Sequence, residues 1–353
     1  MIPPQETPSL TVAVSGLNNI DSPGPGVPVI RALRRSKRWN LRVIGLSYDS
    51  LEPGLYMHDL VDKSYQLPLP TAGTEALLER LRYIQEYEKI QVLIPNFDAE
   101  LHNFIRLSTV LRSELGIHTF LPDLQDFDAR HKAVLHEFGA SHGIKVPAAH
   151  TVFTLSDFHQ ALPLHGFPVV VKGKYYDAVV AHSADEALSA FYKISAKWGL
   201  PVLLQDYVRG NEVNVTALGD GKGGCVGAVP MRKLYITDKG KAWAGVSIED
   251  EALMKQSRAL LASCRWKGPC ELEFMRTDEG HYYLMEMNPR FPAWVYLACG
   301  CGQNHPEALV QLALGGEPEE MQDYQVGKMF VRYSQDLIVD LQEFEQISTQ
   351  GEL

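Results

Sequence analysis

The sequence is poor in cysteine, in positive charge and in long apolar runs, and each shortage narrows the class of protein. Its five cysteines are odd in number, and their spacing fits neither a disulfide framework nor a zinc site, so we expect a cytoplasmic protein. The 33 basic residues are outnumbered by 43 acidic ones, and the formal net charge of -10 argues against nucleic acid as a partner. No apolar run reaches membrane-spanning length, so no membrane partner is expected.

The remaining composition is that of an enzyme with two or three domains, since 353 residues can build a substantial core. After a loose tail at 1–8, alternating strands and helices over 9–126 predict a parallel sheet covered on both faces. The glycine-bearing loop at 16–26 does not match G-x-G-x-x-G, so it either presents backbone N–H groups to a ligand or merely connects two elements. Beyond residue 200, hairpin-connected strands predict an α+β arrangement.

One stretch, residues 268–291, predicts a β-hairpin around which the chemistry is arranged. Residues 270–275 and 282–287 are rich in apolar and aromatic side chains, and residues 277–280 between them have the composition of a turn. Arg290, just past the second strand, adds a positive charge that suits a phosphate or a carboxylate.

Four polar side chains share one face of this predicted hairpin. A turn centred near Glu279 sets Glu273 opposite Glu286, and the same register sets Glu271 opposite Asn288. Facing carboxylates repel each other, so a chain that keeps them usually holds a cation between them. Oxygen ligands with room for phosphate oxygens suit Mg²⁺, whereas the alternative is an ordinary hairpin with a solvated polar face.

Two lysines precede the hairpin. Lys132 lies early in a helix predicted over 130–142, where a lysine is usually a solvated charge. Lys172 closes the apolar run 167–172, so it points either at an anion such as phosphate or outward to solvent. The following residues, 173–177, contain a single glycine.

Two further segments carry polar groups on predicted strands. The link QDYVRGNE exposes backbone groups that can bind an adenine edge, and its Glu212 can accept hydrogen bonds from ribose, although a plain hairpin link fits equally. Arg232 and Lys233 lie side by side on a strand, so by alternation one faces inward and the other outward.

Together these motifs resemble those of the ATP-grasp superfamily. In chain order they are the helix lysine, PVVVK, QDYVRGNE, ELEF and EMNPR, and the resemblance extends over roughly residues 10–320. The nearest branch is that of the carbamoyl-phosphate synthetase large subunit, biotin carboxylase and the purine-pathway ligases. The implied fold is a Rossmann-like pre-ATP-grasp α/β domain at 9–126, followed by an α+β ATP-grasp fold of two subdomains. These are a lysine and lid subdomain at 127–209, and a metal-binding subdomain at 210–353 that ends in a strand and a tail.

The resemblance also implies a role for each matching residue. Those that would bind ATP are Lys132, Lys172, Gln205, Asp206, Tyr207, Val208 and Glu212. Those that would hold Mg²⁺, or Mn²⁺ in its place, are Glu273, Glu286 and Asn288. Those that would act in catalysis are Arg290, Arg232 and Lys174. The loop at 16–26 would help to bind the carboxylate substrate.

The implied activity is that of an ATP- and Mg²⁺-dependent carboxylate–amine ligase that passes through an acyl-phosphate. Its partners would be a small-molecule or peptide carboxylate and an amine, and a homodimer is left open. Lids of this family are glycine-rich, whereas 173–177 is short, so Lys174 would replace part of the lid. An ATP-binding pseudoenzyme or regulatory protein is the alternative. A biotin-type carboxylase is a third alternative, but the sequence does not show the Met-Lys context of a biotinyl acceptor.

Overall fold

The computed structural model describes residues 7–19, 23–173, 177–237 and 240–353. Its strands are β1 (Ser9–Val14), β2 (Asn40–Ser47), β3 (Lys63–Gln66), β4 (Val92–Ile94), β5 (Ala149–Val152), β6 (Val169–Gly173), β7 (Ala178–Ala181), β8 (Val202–Asp206), β9 (Asn211–Asp220), β10 (Cys225–Ile236), β11 (Ala242–Ser247), β12 (Lys267–Arg276), β13 (Tyr282–Asn288) and β14 (Met329–Val331). Its helices are α1 (Gly26–Arg34), α2 (Gly73–Glu88), α3 (Asp98–Leu115), α4 (Leu124–Ala129), α5 (Leu135–His142), α6 (Leu155–Ala161), α7 (Ala184–Trp198), α8 (Glu251–Ser263), α9 (Tyr296–Gly300), α10 (His305–Ala313) and α11 (Leu341–Gln350).

The chain divides into two compact units. Unit 1 comprises Met1–Leu124, Asn214–Glu271 and Asn288–Leu353, and unit 2 comprises Gln125–Val213 and Leu272–Met287. The domain boundaries expected from the sequence stay predictions. Among the described residues, no helix is both long enough and apolar enough to cross a membrane.

Unit 1 contains a parallel sheet with the strand order β3-β2-β1-β4. Val12 in the central strand pairs with Val43 on one side and with Val92 on the other, and all three are fully buried. Such valine-rich strands are typical of a parallel sheet that is covered on both faces. The parallel pairing predicted from alternating strands and helices is therefore confirmed.

A second sheet has six strands in the order β13-β12-β9-β10-β11-β14, and in unit 1 the β10–β11 and β11–β14 pairs are antiparallel. Beyond β14 we expected only an acidic tail, but the chain forms helix α11. Leu341, Phe344 and Ile347 recur at helical spacing, and Ile347 is fully buried in the core of unit 1. This stretch is short and rich in acidic residues, so its helical pattern was overlooked in the sequence.

Unit 2 is built on an antiparallel sheet with the order β5-β8-β6-β7. Its apolar core includes Phe158 from α6, Phe191 from α7 and Val171 from the sheet. The helix predicted over 130–142 is shorter than expected, because α5 begins only at Leu135. The residues before α5 form turns, with Val134 N donating to His131 O over 2.9 Å, so Lys132 lies in a turn between two helices.

Candidate functional site

The predicted hairpin is present as β12 and β13, which are neighbours in the sheet. At its tip, Thr277 N donates to His281 O over 2.8 Å and Gly280 N donates to Thr277 O over 3.0 Å. Gly280 has a φ of 81°, a backbone conformation that glycine adopts without strain. This alignment of Thr277 with His281 is one residue away from the register that would set Glu273 directly opposite Glu286.

Both carboxylates nevertheless lie near enough to Lys172 to act on the pKa of its ammonium group. Lys172 lies near the end of β6, where it pairs with Leu203 of β8 and Ala178 of β7. Burial and the nearby charge of Lys132 lower the pKa of the Lys172 ammonium, and the carboxylates of Glu286, Glu273 and Glu212 oppose that shift.

This charge cluster, defined as Lys132, Lys172, Glu212, Glu273 and Glu286, belongs entirely to unit 2. Its second lysine is also engaged, because Lys132 Nζ lies 3.2 Å from Glu286 Oε1, and both side chains are about one-third exposed or less. The turn between α4 and α5 therefore carries Lys132 to the hairpin. A polyanion that enters such a partly buried site with its bound cation can exchange ion-pair partners with the opposite charges there.

The carboxylate donors fit a divalent cation in their chemistry, since oxygen ligands are what Mg²⁺ prefers. Within the described part of the chain, no group of three or more His, Cys, Asp or Glu side chains is arranged to hold a metal. The predicted set has only two acids, Glu273 and Glu286, so further ligands would have to come from an amide or from phosphate. Asn288, in unit 1, donates to Glu271 Oε2 at 3.5 Å.

A cavity of about 380 Å³ lies beside the end of β8 in unit 2. Its lining includes Asp206, Tyr207 and Val208, together with Ala148 before β5 and Tyr283 from the hairpin. The volume lies within the range of small-molecule sites, and two tyrosines offer aromatic surface. Three of the predicted nucleotide-binding residues therefore line one cavity.

Gln205 lies one residue before that cavity segment and is only 5% exposed. Its backbone lies between strands β5 and β6, because it pairs with Ala149 and with Val170. Its side-chain Oε1 is buried and has no hydrogen-bond partner among the described residues. A buried acceptor without a donor costs free energy, so this atom is suited to a ligand that brings an N–H or O–H group.

In unit 1, Arg290 is held by two carboxylates rather than left open. Its Nη1 lies 3.0 Å from Glu271 Oε2, and its Nε lies 3.2 Å from Asp98 Oδ2. Burial acts to lower the pKa of Arg290, but the charges of Asp98 and Glu271 outweigh it and raise the pKa, so the guanidinium stays ionised. Glu271 also accepts from Trp294 Nε1 over 2.6 Å. Glu271 thus orients an arginine, a role that strand alternation alone did not reveal.

The other predicted catalytic residues are placed differently. Arg232 in β10 is exposed and pairs with Val246, while Lys233 beside it is half-buried, as alternation predicted. Lys174 lies outside the described residues. Arg332, which the sequence did not single out, follows β14, and burial lowers its pKa to about 10 against the opposing charge of Glu271.

A buried polar cluster stands at the carboxyl edge of the parallel sheet in unit 1. Ser15 follows β1, Tyr48 follows β2 and Asn96 follows β4, and all three hydrogen-bond to the carboxylate of Glu100. Glu100 is fully buried, and burial raises its pKa despite these four donors, the last of which is the backbone of Phe97. Open α/β sheets bind ligands at the carboxyl edge of their strands. The positions of these residues just after predicted strands could therefore have marked them as candidates in the sequence.

Residues 200–336 match the family model described as ATP-grasp in the biosynthetic pathway with Ter operon. The chain is 25% identical over 276 residues to the carbamoyl phosphate synthase large chain of Thermomicrobium roseum, a match that covers 73% of this chain and 25% of that protein. The chain thus spans about a quarter of the length of the curated relatives it matches.

Solved structures resemble the chain over nearly its whole length. Biotin carboxylase of Campylobacter jejuni, in complex with β,γ-ATP, superimposes with a TM-score of 0.70 at 14% identity, covering 90% of this chain and 74% of that one. An N5-carboxyaminoimidazole ribonucleotide synthetase in complex with ADP gives 0.68 at 13% identity, covering 91% and 80%. At such identities the likeness concerns the fold. Together with the motif order and the family model over residues 200–336, it supports the interpretation of the chain as an ATP-grasp superfamily member.

Proposed function

We propose that the chain is an ATP- and Mg²⁺-dependent ligase that activates a carboxylate as an acyl-phosphate and joins it to an amine. The observation that carries the proposal is the charge cluster within unit 2, in which Lys132 lies 3.2 Å from Glu286 and both of these charges, with those of Glu212 and Glu273, act on the pKa of Lys172. Two cations suited to phosphates beside acids suited to a divalent cation are what a metal-bound nucleoside triphosphate requires.

In this proposal the nucleotide lies along unit 2. Lys132 and Lys172 bind phosphates, and Glu212 accepts from the ribose hydroxyls. The adenine edge lies on the backbone of Asp206, Tyr207 and Val208. The buried Oε1 of Gln205, which lacks a donor among the described residues, accepts from the base. The cavity beside these residues supports that assignment by its size and aromatic lining.

Glu273, Glu286 and Asn288 would hold Mg²⁺, with Mn²⁺ as a substitute. When bound, the cation would offset charge on the phosphate oxygens and help to hold them in line for transfer. Oxygen donors alone make up this set, which is the chemistry such hard cations select. Lys132 already neutralises Glu286 in part, so it would change partner as the nucleotide enters.

The reaction proceeds in two displacements. A carboxylate oxygen attacks the γ-phosphorus, and the bond from that phosphorus to the β,γ-bridging oxygen breaks, which releases ADP and forms an acyl-phosphate. The amine nitrogen then attacks the acyl carbon, the C–N bond forms, inorganic phosphate leaves and the amine loses a proton. Arg290 and Arg232, with Lys174, would offset charge on the transferred phosphoryl group. We also propose that residues 9–126 are a Rossmann-like pre-ATP-grasp domain that binds the carboxylate, which its strand order supports.

The test is an ADP-release screen of amino acids, dipeptides and small carboxylates, with hydroxylamine as a surrogate amine. A ligase releases ADP and forms a hydroxamate with at least one carboxylate, and Lys172→Met abolishes both signals. Failure of the wild-type protein to bind Mg²⁺-ATP in calorimetry refutes the proposal.

A second candidate is an ATP-binding regulatory protein without turnover. It is favoured by the single glycine in 173–177 and by Arg290, whose guanidinium is committed to Asp98 and Glu271. Tight ATP binding with no ADP release from any carboxylate would select this candidate over the ligase.

A further inference from the structure

A row of three hydrogen-bonded side chains lies beside the cavity segment in unit 2. His150 Nδ1 lies 2.8 Å from His165 Nε2, and His165 Nδ1 lies 2.6 Å from Asp206 Oδ1. The side chain of His165 is 1% exposed, whereas that of Asp206 is 46% exposed. Neither histidine belongs to the motifs that identify the superfamily, and the proposed reaction uses neither.

The chemistry of the row fixes which atoms donate. An ionised aspartate can only accept, so Nδ1 of His165 carries the hydrogen in its bond with Asp206. One hydrogen then lies between the two imidazoles, on either ring. Both ring nitrogens of His165 are therefore satisfied, which offsets the cost of burying a polar ring.

The row joins three segments of the chain at the point where β8 ends. His150 is in β5, opposite Leu204, and His165 lies in the connection that leads to β6. Asp206 is the last residue of β8, pairs with Val169 of β6 and donates from its backbone N to Ala148 O over 2.9 Å. Tyr207 and Val208, which follow, lie outside the strands that the described residues form.

We propose that His165 is a positioning residue for nucleobase recognition. Its hydrogen bond to the carboxylate of Asp206 holds the first residue of the backbone segment 206–208 in position. In the proposed function, this segment forms hydrogen bonds with the edge of the base. This inference rests on the proposed function, because it assigns a task to a neighbour of the proposed adenine site. Since hydrogen bonds to a base edge depend on donor and acceptor alignment, a loosened segment loses discrimination before it loses phosphate binding.

The experiment measures the dissociation constants of Mg²⁺-ATP and Mg²⁺-GTP by calorimetry for the wild type, His165→Leu and His165→Asn. Leucine keeps much of the volume but has no donor. In asparagine the amide nitrogen is bonded to Cγ, as Nδ1 is in histidine. His165→Asn can therefore still donate to Asp206, but it loses the hydrogen bond with His150. We expect His165→Leu to lower ATP affinity about tenfold with less than a twofold change for GTP, and His165→Asn to restore the preference.

Asp206→Ala provides a second variant, since the side chain of Asp206 is half-exposed and its backbone N–H can still donate to Ala148 O. It should show the same loss of preference for ATP. An equal fall in ATP and GTP affinity in His165→Leu, or an unchanged ratio, overturns the positioning role while leaving ATP binding by the wild type as proposed. A wild type that binds neither nucleotide overturns both the inference and the proposed function.

Discussion

Glu52 offers a direct measurement of how strongly unit 1 buries charge beside its parallel sheet. The side chain is 8% exposed and accepts from Tyr48 N over 2.9 Å. Burial, together with the charges of Glu100 and Asp49, raises the pKa of Glu52 from 4.5 to about 7, against the opposing hydrogen bonds from the backbone. The native state therefore holds this proton more tightly than the unfolded chain does.

The sign and size of the effect follow from linkage. Because the folded pKa is raised, the contribution to stability is fully present below pH 4.5 and is lost as the pH rises through about 7. A difference of about 2.5 units corresponds to about 3 kcal/mol, since each unit is worth about 1.36 kcal/mol. Glu52→Gln removes the titration and keeps an oxygen that can accept from Tyr48 N.

The assay is urea unfolding of the wild type and Glu52→Gln at several pH values between 4.5 and 8.5. We expect the free energy of unfolding of the variant, relative to the wild type, to rise by about 3 kcal/mol across this window. Glu86→Gln, on the exposed side of α2, is the matched control. Its free energy of unfolding should differ from that of the wild type by the same amount at every pH. A constant offset for Glu52→Gln as well would refute the burial argument.

Two predictions concern the charge cluster. Lys172→Met should weaken Mg²⁺-ATP binding at least tenfold in calorimetry, because a partly buried cation that suits phosphate is removed, while Lys193→Met on the exposed face of α7 should bind as the wild type does. Glu286→Gln should abolish Mg²⁺-dependent ADP release yet change the free energy of unfolding by less than about 1 kcal/mol, since its pair with Lys132 is partly exposed; unchanged turnover would remove Glu286 from the metal site.

The hairpin and the lysine strand were predictable from the sequence because their signals are local. Turn composition at 277–280 and an apolar run ending in Lys172 require only neighbouring residues, and both features are present in the structure. The motif order then identified the superfamily, because each motif keeps its place relative to the others along the chain. The roles of the individual site residues stay predictions.

What the sequence did not reveal depends on contacts between distant segments. Glu100 meets Ser15 and Tyr48 only because β1, β2 and β4 lie side by side with their carboxyl ends at one edge. The row from His150 to Asp206 likewise needs the antiparallel order of the sheet in unit 2. The turn at Lys132 was missed for a local reason, since the residues of 130–134 can also continue a helix.

The net charge of the charge cluster in unit 2 leads to a final prediction, which holds for a ligase and for a regulatory protein alike. The cluster has two lysines against three glutamates, a formal sum of -1. ATP adds further negative charge, so without a divalent cation the site should repel it, and affinity in EDTA should be at least tenfold weaker than in Mg²⁺. Glu273→Gln combined with Glu286→Gln changes the sum to +1. That double variant should therefore bind ATP more tightly than the wild type in EDTA and less tightly in Mg²⁺. An equal loss of affinity under both conditions would mean that these carboxylates support the fold of the site rather than a cation.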